Sequence, residues 1–237
     1  MDLAWVAIAR RHRSDVSGGS AVMVLVILAA VVFVCWYFSK DQRIKRELAA
    51  AQRWPIAELP DSTLGRIVGA AKPIGEALTS PLGGRKCIYY LTVVMTGGKY
   101  PKVVAREERS MPCVIEDDSG SAIVDVEGAE MVLGEDSVTS SGTFDNATEN
   151  ERAFLTRNNQ APTGTVLNRL VYRESTISVD ETIAVLGAGV REPDPDAPPT
   201  DAYRGAPAMR LRLTSSPRWK LRISDHRSTL GRIPEAV

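Results

Sequence analysis

One stretch of the chain combines residue types that occur in two kinds of reactive site. It runs over Ser80–Tyr90, SPLGGRKCIYY, and places Gly83, Gly84 and Lys86 directly before Cys87. Glycines followed by a lysine occur in loops whose backbone N–H groups bind phosphate. A cysteine beside basic residues occurs where a thiol is activated as a nucleophile. A third interpretation is a turn that leads into a β-strand.

The spacing of these residues does not fit a phosphate-binding loop. A Walker loop places its lysine before Ser or Thr at the start of a helix, and that helix completes the anion site. Here Lys86 is followed by Cys87 and then by the strand-forming run Ile88–Val94. We therefore do not expect this stretch to bind phosphate.

A reactive thiol at Cys87 is also weakly supported. Successive side chains of a strand point to opposite faces, so the side chains of Lys86 and Cys87 should diverge. The chain has two histidines, and neither is near Cys87 in the sequence. We expect Cys87, and likewise Cys113, to be a small buried apolar side chain. A disulfide between them would require adjacent strands and an oxidising compartment.

The densest group of acids is Glu116-Asp117-Asp118, which is followed by Ser119-Gly120. Adjacent carboxylates bind Mg²⁺ or Ca²⁺ in some proteins. The favoured alternative is a solvated turn in which Asp118 accepts a hydrogen bond from its own backbone. Zinc is not expected, because the three Cys and two His lack paired ligand spacing. The sequence thus predicts no catalytic residue, no metal site and no cofactor.

An apolar segment, Ala21–Phe38, predicts a membrane anchor. It carries no charged residue, and it has the length of roughly 17–25 residues that a helix needs to span a bilayer. Trp36 and Tyr37 lie at one end, where aromatic rings favour the headgroup region. Three arginines precede the segment, and five basic residues follow it before Trp54. This excess predicts a single-pass membrane protein whose main domain is cytoplasmic.

The residues after this segment predict a basic helix and then a β domain. Lys40–Trp54 is a good helix former, which either rests on anionic lipid headgroups or forms a solvated stalk, and Pro55 ends it. From Ser62, short runs rich in Val, Ile and Tyr alternate with turns, which is typical of a closed or nearly closed barrel. The balance of 29 basic and 29 acidic residues leaves no basic footprint for nucleic acid.

The predicted fold class is mainly β: an N-terminal transmembrane helix followed by a β-barrel-like, OB-like domain with one short helix, Thr148–Arg157, anchored by Phe154 and Leu155. A hairpin is expected at Gly97-Gly98, and another pair of strands is expected to meet across Asp180-Glu181. The predicted strands are Leu64–Pro73, Cys87–Met95, Tyr100–Glu107, Met111–Ile115, Ser121–Val126, Leu167–Val179, Ile183–Val190, Met209–Thr214 and Trp219–Ser224. The expected boundaries are a tail at 1–19, the membrane helix at 20–38, the basic helix at 39–60, the β domain at 61–227 with a Pro-rich loop at 191–207, and a tail at 228–237.

Four motifs occur in the order in which they occur in one known family. They are Ser80–Tyr90, Pro112–Glu130 (PCVIEDDSGSAIVDVEGAE), Asn150–Asn158 (NERAFLTRN) and Val171–Val190 (VYRESTISVDETIAVLGAGV). They resemble the GIDE or beside-a-membrane (BAM) domain, which occurs in mitochondrial outer-membrane E3 ubiquitin ligases and in many bacterial membrane proteins. The resemblance implies structural motif roles for Pro81, Gly84, Cys87, Tyr89, Tyr90, Glu116, Asp117, Gly120, Glu174, Leu186 and Gly187.

The chain departs from the ligases of this family at its C-terminal end. The family resemblance implies a RING there, with eight Cys or His ligands around two zinc ions, whereas the last residues, LTSSPRWKLRISDHRSTLGRIPEAV, contain one histidine. Because a structural zinc ion needs four ligands, ligase activity is not supported. We therefore expect a bacterial-type member that lacks the RING.

The function expected from these observations is that of a non-enzymatic, membrane-anchored module. It would bind the lipid bilayer surface or an unknown membrane or cytosolic protein, and no nucleic acid. Two alternatives stay open at this stage. One is a ubiquitin-ligase-like role inherited through the family resemblance, and the other is an enzyme centred on Cys87.

Overall fold

The computed structural model of the chain describes residues 22–26, 28, 39–141, 147–160, 169–194, 209–216 and 219–231. The chain divides into two compact units, Met1–Arg43 and Ile44–Val237. Within the described ranges, no helix has both the length and the apolar character needed to cross a bilayer. The predicted anchor Ala21–Phe38 lies largely outside those ranges, so it stays a prediction.

The described residues from Ser39 onward form twelve strands and three α-helices. The helices are α1 (Lys40–Ala50), α2 (Glu149–Arg157) and α3 (Arg227–Leu230), and a short 3-10 helix covers Ile56–Glu58. The strands are β1 (Leu64–Pro73), β2 (Leu78–Thr79), β3 (Lys86–Thr96), β4 (Val103–Ser110), β5 (Cys113–Asp117), β6 (Gly120–Val124), β7 (Glu130–Val132), β8 (Ser137–Ser141), β9 (Leu170–Ser178), β10 (Thr182–Pro193), β11 (Met209–Leu213) and β12 (Arg222–Ser224).

Five of the strands close into a barrel in the order β1-β5-β6-β11-β10, with β10 returning to β1. Every pairing in this ring is antiparallel except that of β6 with β11. Closure leaves none of the five with a free edge, which removes the sites where β domains tend to aggregate. The predicted barrel-like, mainly β fold is confirmed at this level.

The barrel core is made by the alternate residues that point inward. These include Ile67 and Ala71 of β1 and Leu211 and Leu213 of β11, each at most 1% exposed. The period of two along a strand explains why MRLRL in β11 buries its leucines and turns its arginines outward.

A second sheet is inserted between barrel strands. β3 pairs with β9 along one edge and with β2 and β4 along the other, and β8 lies beyond β9. A register irregularity between Cys87 and Tyr89 breaks the alternation of β3. As a result Ile88 and Tyr89 both join the barrel core, which therefore continues from one sheet into the other.

Helix α2 covers the far end of this second sheet. Thr148 caps it, accepting from the backbone N–H of Glu151, whose side chain accepts from the backbone N–H of Thr148. Phe154 and Leu155 are fully buried against the sheet. The predicted helix, its threonine cap and its two apolar anchors are thus confirmed.

The basic helix α1 is not a free stalk, because its apolar side packs on the barrel. Ile44 and Leu48 are at most 2% exposed and contact Val68 and Leu186 on the outer face of the barrel. The helix ends at Ala50 and not at the predicted Trp54.

The earlier end of α1 has a hydrogen-bonding cause. The backbone N–H of Trp54 donates to the carbonyl of Arg66, and the N–H of Arg66 donates to the carbonyl of Gln52. Residues 52–54 therefore run alongside β1. Their backbone groups bond to β1 and so are not available to extend the helix.

Arg66 of β1 links helix α1 to helix α3 through hydrogen bonds. Its Nη1 donates to the carbonyl of Leu48 in α1 at 2.9 Å and to that of Thr229 in α3 at 3.0 Å. The side chain is 8% exposed, and burial together with nearby Arg53 lowers its pKa. A buried guanidinium here supplies donors to carbonyls at two helix ends, where positive charge is favoured.

Two expectations about strands are corrected. Leu167–Val179 and Ile183–Val190 do not pair, because β9 lies in the second sheet and β10 in the barrel. The turn between them, with Asp180 at φ 63°, passes the chain from one sheet to the other. The predicted Pro-rich loop also begins later, since Arg191–Pro193 belongs to β10 and pairs with β11. Beyond Asp194, the rest of that loop lies outside the described residues.

Candidate functional site

A groove of about 610 Å³ lies on the outer face of β5, β6 and β11. We call it the outer groove. Its lining comprises Pro73, Ile74, Pro112, Val114, Glu116, Ser121, Ile123, Asp194, Arg210 and Arg212. The lining residues of β5, β6 and β11 follow from alternation, because they are the outward neighbours of inward core residues.

The floor of the outer groove is apolar. Val114 of β5 lies directly opposite Ile123 of β6, and Arg212 of β11 is the next partner across the sheet. Pro73, Ile74 and Pro112 extend the apolar surface to the end of β1. Such a floor favours a ligand with apolar side chains.

Two arginines of β11 form one wall of the groove with acidic partners. Glu192 accepts from Nε of Arg210 and from Nε of Arg212, each at 2.9 Å. Asp194 accepts from Nη1 of Arg210 at 3.4 Å. The hydrogen bonds from Arg212 and Arg210 lower the pKa of Glu192, and the same contact raises the pKa of Arg212. These charges are fixed in place by one another.

Glu116 forms the opposite side of the groove. It is the only one of the motif residues that lines this surface, and it forms an ion pair with Lys72 of β1. Both side chains are more than two-fifths exposed, so the pair is worth little for stability and its groups stay accessible to a ligand.

The SPLGG turn does bind an anion, and the anion is the carboxylate of Glu174. Oε1 accepts from the N–H of Leu82 at 2.9 Å and from Thr92 Oγ1 at 3.2 Å. Oε2 accepts from the N–H of Gly83 and from Ser80 Oγ, each at 3.0 Å. We call these five residues the Glu174 cradle. Because its donors are all occupied by Glu174, which is 1% exposed, the cradle has a structural role.

Three of the four sequence motifs meet at this cradle. Ser80–Tyr90 supplies the turn, Val171–Val190 supplies Glu174, and Asn150 of the third motif donates from Nδ2 to the carbonyl of Leu82 at 2.9 Å. Pro81 and Gly84 belong to the turn, and Gly84 adopts a φ of 64°, which favours glycine. Three motifs that are far apart in the sequence therefore form one packed junction.

Cys87 and Cys113 are both free and fully buried, as expected of small apolar side chains. Burial, reinforced by Glu174, raises the pKa of Cys87 to about 11. Burial alone raises the pKa of Cys113 to about 12. Activated thiols have the opposite surroundings, since they are accessible and have a lowered pKa.

The acidic turn is organised by Asp117 and not by the predicted Asp118. Oδ1 of Asp117 accepts from the backbone N–H groups of Ser119 and Gly120, and Oδ2 accepts from the N–H of Ile56. Burial alone would raise the pKa of Asp117, but these bonds and that from the Ser119 hydroxyl lower it overall. The carboxylate thus ties the β5–β6 turn to the 3-10 helix.

Tyr89 and Tyr90 connect β3 to β4 through their hydroxyl groups. Tyr89 donates to Glu108 at 2.9 Å, and Tyr90 donates to Glu107 at 2.5 Å. Glu107 also pairs with Arg157 of α2 at 2.9 Å. Burial and then the hydrogen bonds to these acids raise the pKa of both tyrosines. Both rings are buried, each at 3% exposure.

The last two motif residues are packing positions in β10. Leu186 points outward beneath α1, where it is 2% exposed. Gly187 points inward, and a Cβ there would collide with the side chain of Leu221. Only glycine allows that leucine to pack so close to the strand.

The sequence did not predict the arginine wall or the apolar floor of the groove. A usable signal was present in MRLRL, whose period of two places both arginines on one outward face. The partners of those arginines could not be inferred, because Glu192 and Asp194 were assigned to a loop.

Within the described ranges, no group of three or more His, Cys, Asp or Glu residues is arranged to hold a metal ion. No family model matches the chain, and no match was found among curated proteins or among solved structures.

Proposed function

We propose that this protein is a membrane-anchored, non-enzymatic binding module of the GIDE-like type, and that its outer groove receives an extended segment of a protein partner. The observation that carries the proposal is the groove itself, which has a volume of about 610 Å³ and an apolar floor between charges of both signs. The partner segment would carry apolar side chains for the floor and a mixture of charges for the walls.

The strand order supports the choice of this face. A five-stranded barrel in which the third strand runs parallel to the fifth is the arrangement of the OB-fold. That fold binds ligands on the face of its second and third strands. The corresponding strands here are β5 and β6, which form the floor of the outer groove.

The charges of the groove favour a protein ligand over nucleic acid. Both arginines of the wall are engaged by Glu192, and Glu116 adds a negative charge on the opposite side. Nucleic-acid sites combine unopposed basic residues with aromatic platforms, whereas the lining residues that the structure describes include no aromatic side chain.

The membrane anchor of the proposal rests on the apolar segment Ala21–Phe38. Its described residues Val22–Val26 and Leu28 expose between 55% and 66% of their surface. Apolar side chains exposed on consecutive residues are stable in lipid and unfavourable in water. The resemblance to the GIDE family is in keeping with a β domain that follows such an anchor.

The non-enzymatic character of the proposal is supported by the state of the reactive groups. The two described thiols are buried with raised pKa values. The most deeply buried acid, Glu174, already accepts hydrogen bonds from four groups of the chain. Neither arrangement leaves a nucleophile or a base free to meet a substrate.

Photo-crosslinking from the groove tests the binding function. A photoreactive amino acid at Ser121, on the floor of the groove, should give a discrete protein adduct in native membranes. The same probe at Thr139 of β8, an exposed residue outside the groove, serves as the control. The adduct from Ser121 should disappear when Arg210 and Arg212 are both changed to glutamine. Equal adducts from the two positions would contradict the proposal.

Carbonate extraction of membranes tests the anchor separately. An integral protein stays in the membrane fraction at high pH, whereas a peripheral one is released. We expect the full chain to stay and a variant with three aspartates between Val24 and Leu28 to be released, because charges at a helix centre oppose insertion. Release of the unchanged chain would contradict the anchor while leaving the groove experiment intact.

A further inference from the structure

The β3–β4 hairpin ends in a tip that is exposed, aromatic and cationic. The tip is Gly97–Lys102, with sequence GGKYPK, and it contains no acid. Tyr100 is 78% exposed, and Val103, the first residue of β4, is 61% exposed. A large aromatic ring and an apolar side chain held in water at one point of the surface favour a contact that covers them.

Three cations at this end of the sheet have no acidic partner among the described residues. They are Lys99 and Lys102 of the tip and Arg169, which precedes β9. Lys99 lies over the ring of Tyr100 at 5.7 Å, and Arg169 donates to the hydroxyl of Ser140 at 2.7 Å. Neither contact neutralises the positive charge.

The neighbouring strand shows that this lack of acids is local. On β4, Arg106 pairs with Glu108 at 2.8 Å, and Arg109 pairs with Glu107 at 3.5 Å. At the tip of the same hairpin, Lys99 and Lys102 have no acidic partner among the described residues. Although the chain has equal numbers of acids and bases, the described residues at the tip thus form a net positive patch.

The backbone holds these cations together. Thr96 and Lys102 close the tip with backbone and hydroxyl hydrogen bonds, each at 2.9 Å. The N–H of Gly97 donates to the carbonyl of Arg169, which fixes that residue beside the hairpin. A Cβ on Gly97 would lie 3.1 Å from Arg169, a tight contact, so the close approach favours glycine.

We propose that this hairpin tip docks on the anionic headgroups of a lipid bilayer. The basic side chains meet the negative surface potential of the membrane. The ring of Tyr100, with its apolar body and polar hydroxyl, suits the headgroup level. The inference rests on the proposed function only in placing the chain at a membrane, and it concerns a surface distinct from the outer groove.

Hydrogen exchange of the full chain in nanodiscs tests the inference. One set of discs contains phosphatidylcholine alone. The other contains phosphatidylcholine with about 30% phosphatidylserine, which is anionic. We expect amides of Thr96–Lys102 to exchange several-fold more slowly in the anionic discs. Each Lys near an anionic surface corresponds to about a fivefold gain in binding, so K99Q/K102Q should weaken the contact on the order of 30-fold and abolish the difference.

The matched control removes two cations from the opposite end of the same strand. Arg85 and Lys86 are exposed and have no acidic partner among the described residues. The R85Q/K86Q variant should keep the protection of the tip. The inference is overturned if the tip exchanges equally in both lipids, which would leave an acidic protein as its partner. It is also overturned if the control loses protection as fully as K99Q/K102Q.

The experiment separates this inference from the proposed function. If the chain does not enter nanodiscs, the anchor is wrong, and the same exchange comparison is made with free vesicles of the two compositions. Protection in anionic vesicles alone would then support the hairpin contact without the anchor, and equal exchange in the two would overturn it.

Discussion

The two ends of strand β3 carry similar residue types but use them in opposite ways. At its start, two glycines and two basic residues follow Pro81, and at its end, two glycines precede Lys99 and Lys102. The first end wraps its backbone donors around the buried carboxylate of Glu174. The second end leaves its cations without an acidic partner in the described part of the chain. The same composition therefore gives a structural junction at one end and an open surface at the other.

The difference lies in what the neighbouring strand β9 places beside each end. It places Glu174 against the first turn and Arg169 against the second. An acid aimed at free N–H groups satisfies them and closes the site, whereas a base beside other bases leaves positive charge that attracts an external anion. Composition alone does not distinguish the two ends, because the deciding residues lie more than 70 positions away in the sequence.

The largest expected effect comes from emptying the Glu174 cradle. Glu174→Ala leaves two hydroxyls and two backbone N–H groups without their acceptor, so the free energy of unfolding should fall by about 3–5 kcal/mol. Urea unfolding of the purified chain measures the change. Glu76→Ala, at an exposed position, should stay within about 0.5 kcal/mol of the parent. A loss under 1 kcal/mol for Glu174→Ala, roughly that of one ordinary hydrogen bond, would mean that the cradle is not a structural junction.

The next effect concerns the thiol beside the cradle. Because its pKa is raised from 9.0 to about 11, Cys87 should carry about 100-fold less thiolate near pH 8 than an unfolded cysteine. Labelling by iodoacetamide, read peptide by peptide by mass spectrometry, should be slower in the native chain by at least that factor. The folded state holds the proton more tightly, so stability should also fall as pH rises from about 9 toward 11. Rapid native labelling of Cys87 at neutral pH would reopen a catalytic role.

A smaller effect is expected at the glycine that shapes the cradle turn. Gly84 has a φ of 64° and no neighbour within contact distance of an added Cβ, so substitution meets only backbone strain. Gly84→Ala should cost about 1 kcal/mol, and Gly84→Asn less, because asparagine tolerates this conformation. Thermal unfolding of the three chains ranks them. Equal losses for alanine and asparagine would show that the strain argument is wrong.

The smallest effect on stability is expected at the other end of β3. Because Lys99 and Lys102 form no ion pair with described residues, K99Q/K102Q should change the free energy of unfolding by less than about 0.5 kcal/mol. Denaturant unfolding without lipid tests this. A larger loss would mean that the tip stabilises the fold, and it would weaken the contrast between the two ends of the strand.

Local patterns predicted the strands whose partners are near in sequence or whose ends carry clear turn signals. β1 occurs at the predicted Leu64–Pro73, and α2 begins after the predicted threonine cap. β2, β7 and β8 were missed, since each has five residues or fewer and little hydrophobic periodicity. β9 and β10 were paired with each other in error, because a short turn between two strands is usually a hairpin. Here the turn at Asp180 connects two different sheets.

The sequence by itself determined the β class, the apolar segment before the β domain and the burial of both described cysteines. Each follows from composition or alternation, which depend only on neighbours along the chain. Tertiary structure decided that the SPLGG turn is filled by Glu174, that Glu192 holds Arg210 and Arg212 as one wall of a groove, and that the hairpin tip keeps its charge. These depend on which distant strand lies alongside. The pairing of β9 with β3 in the second sheet and of β10 with β11 in the barrel is set by contacts that no local pattern encodes.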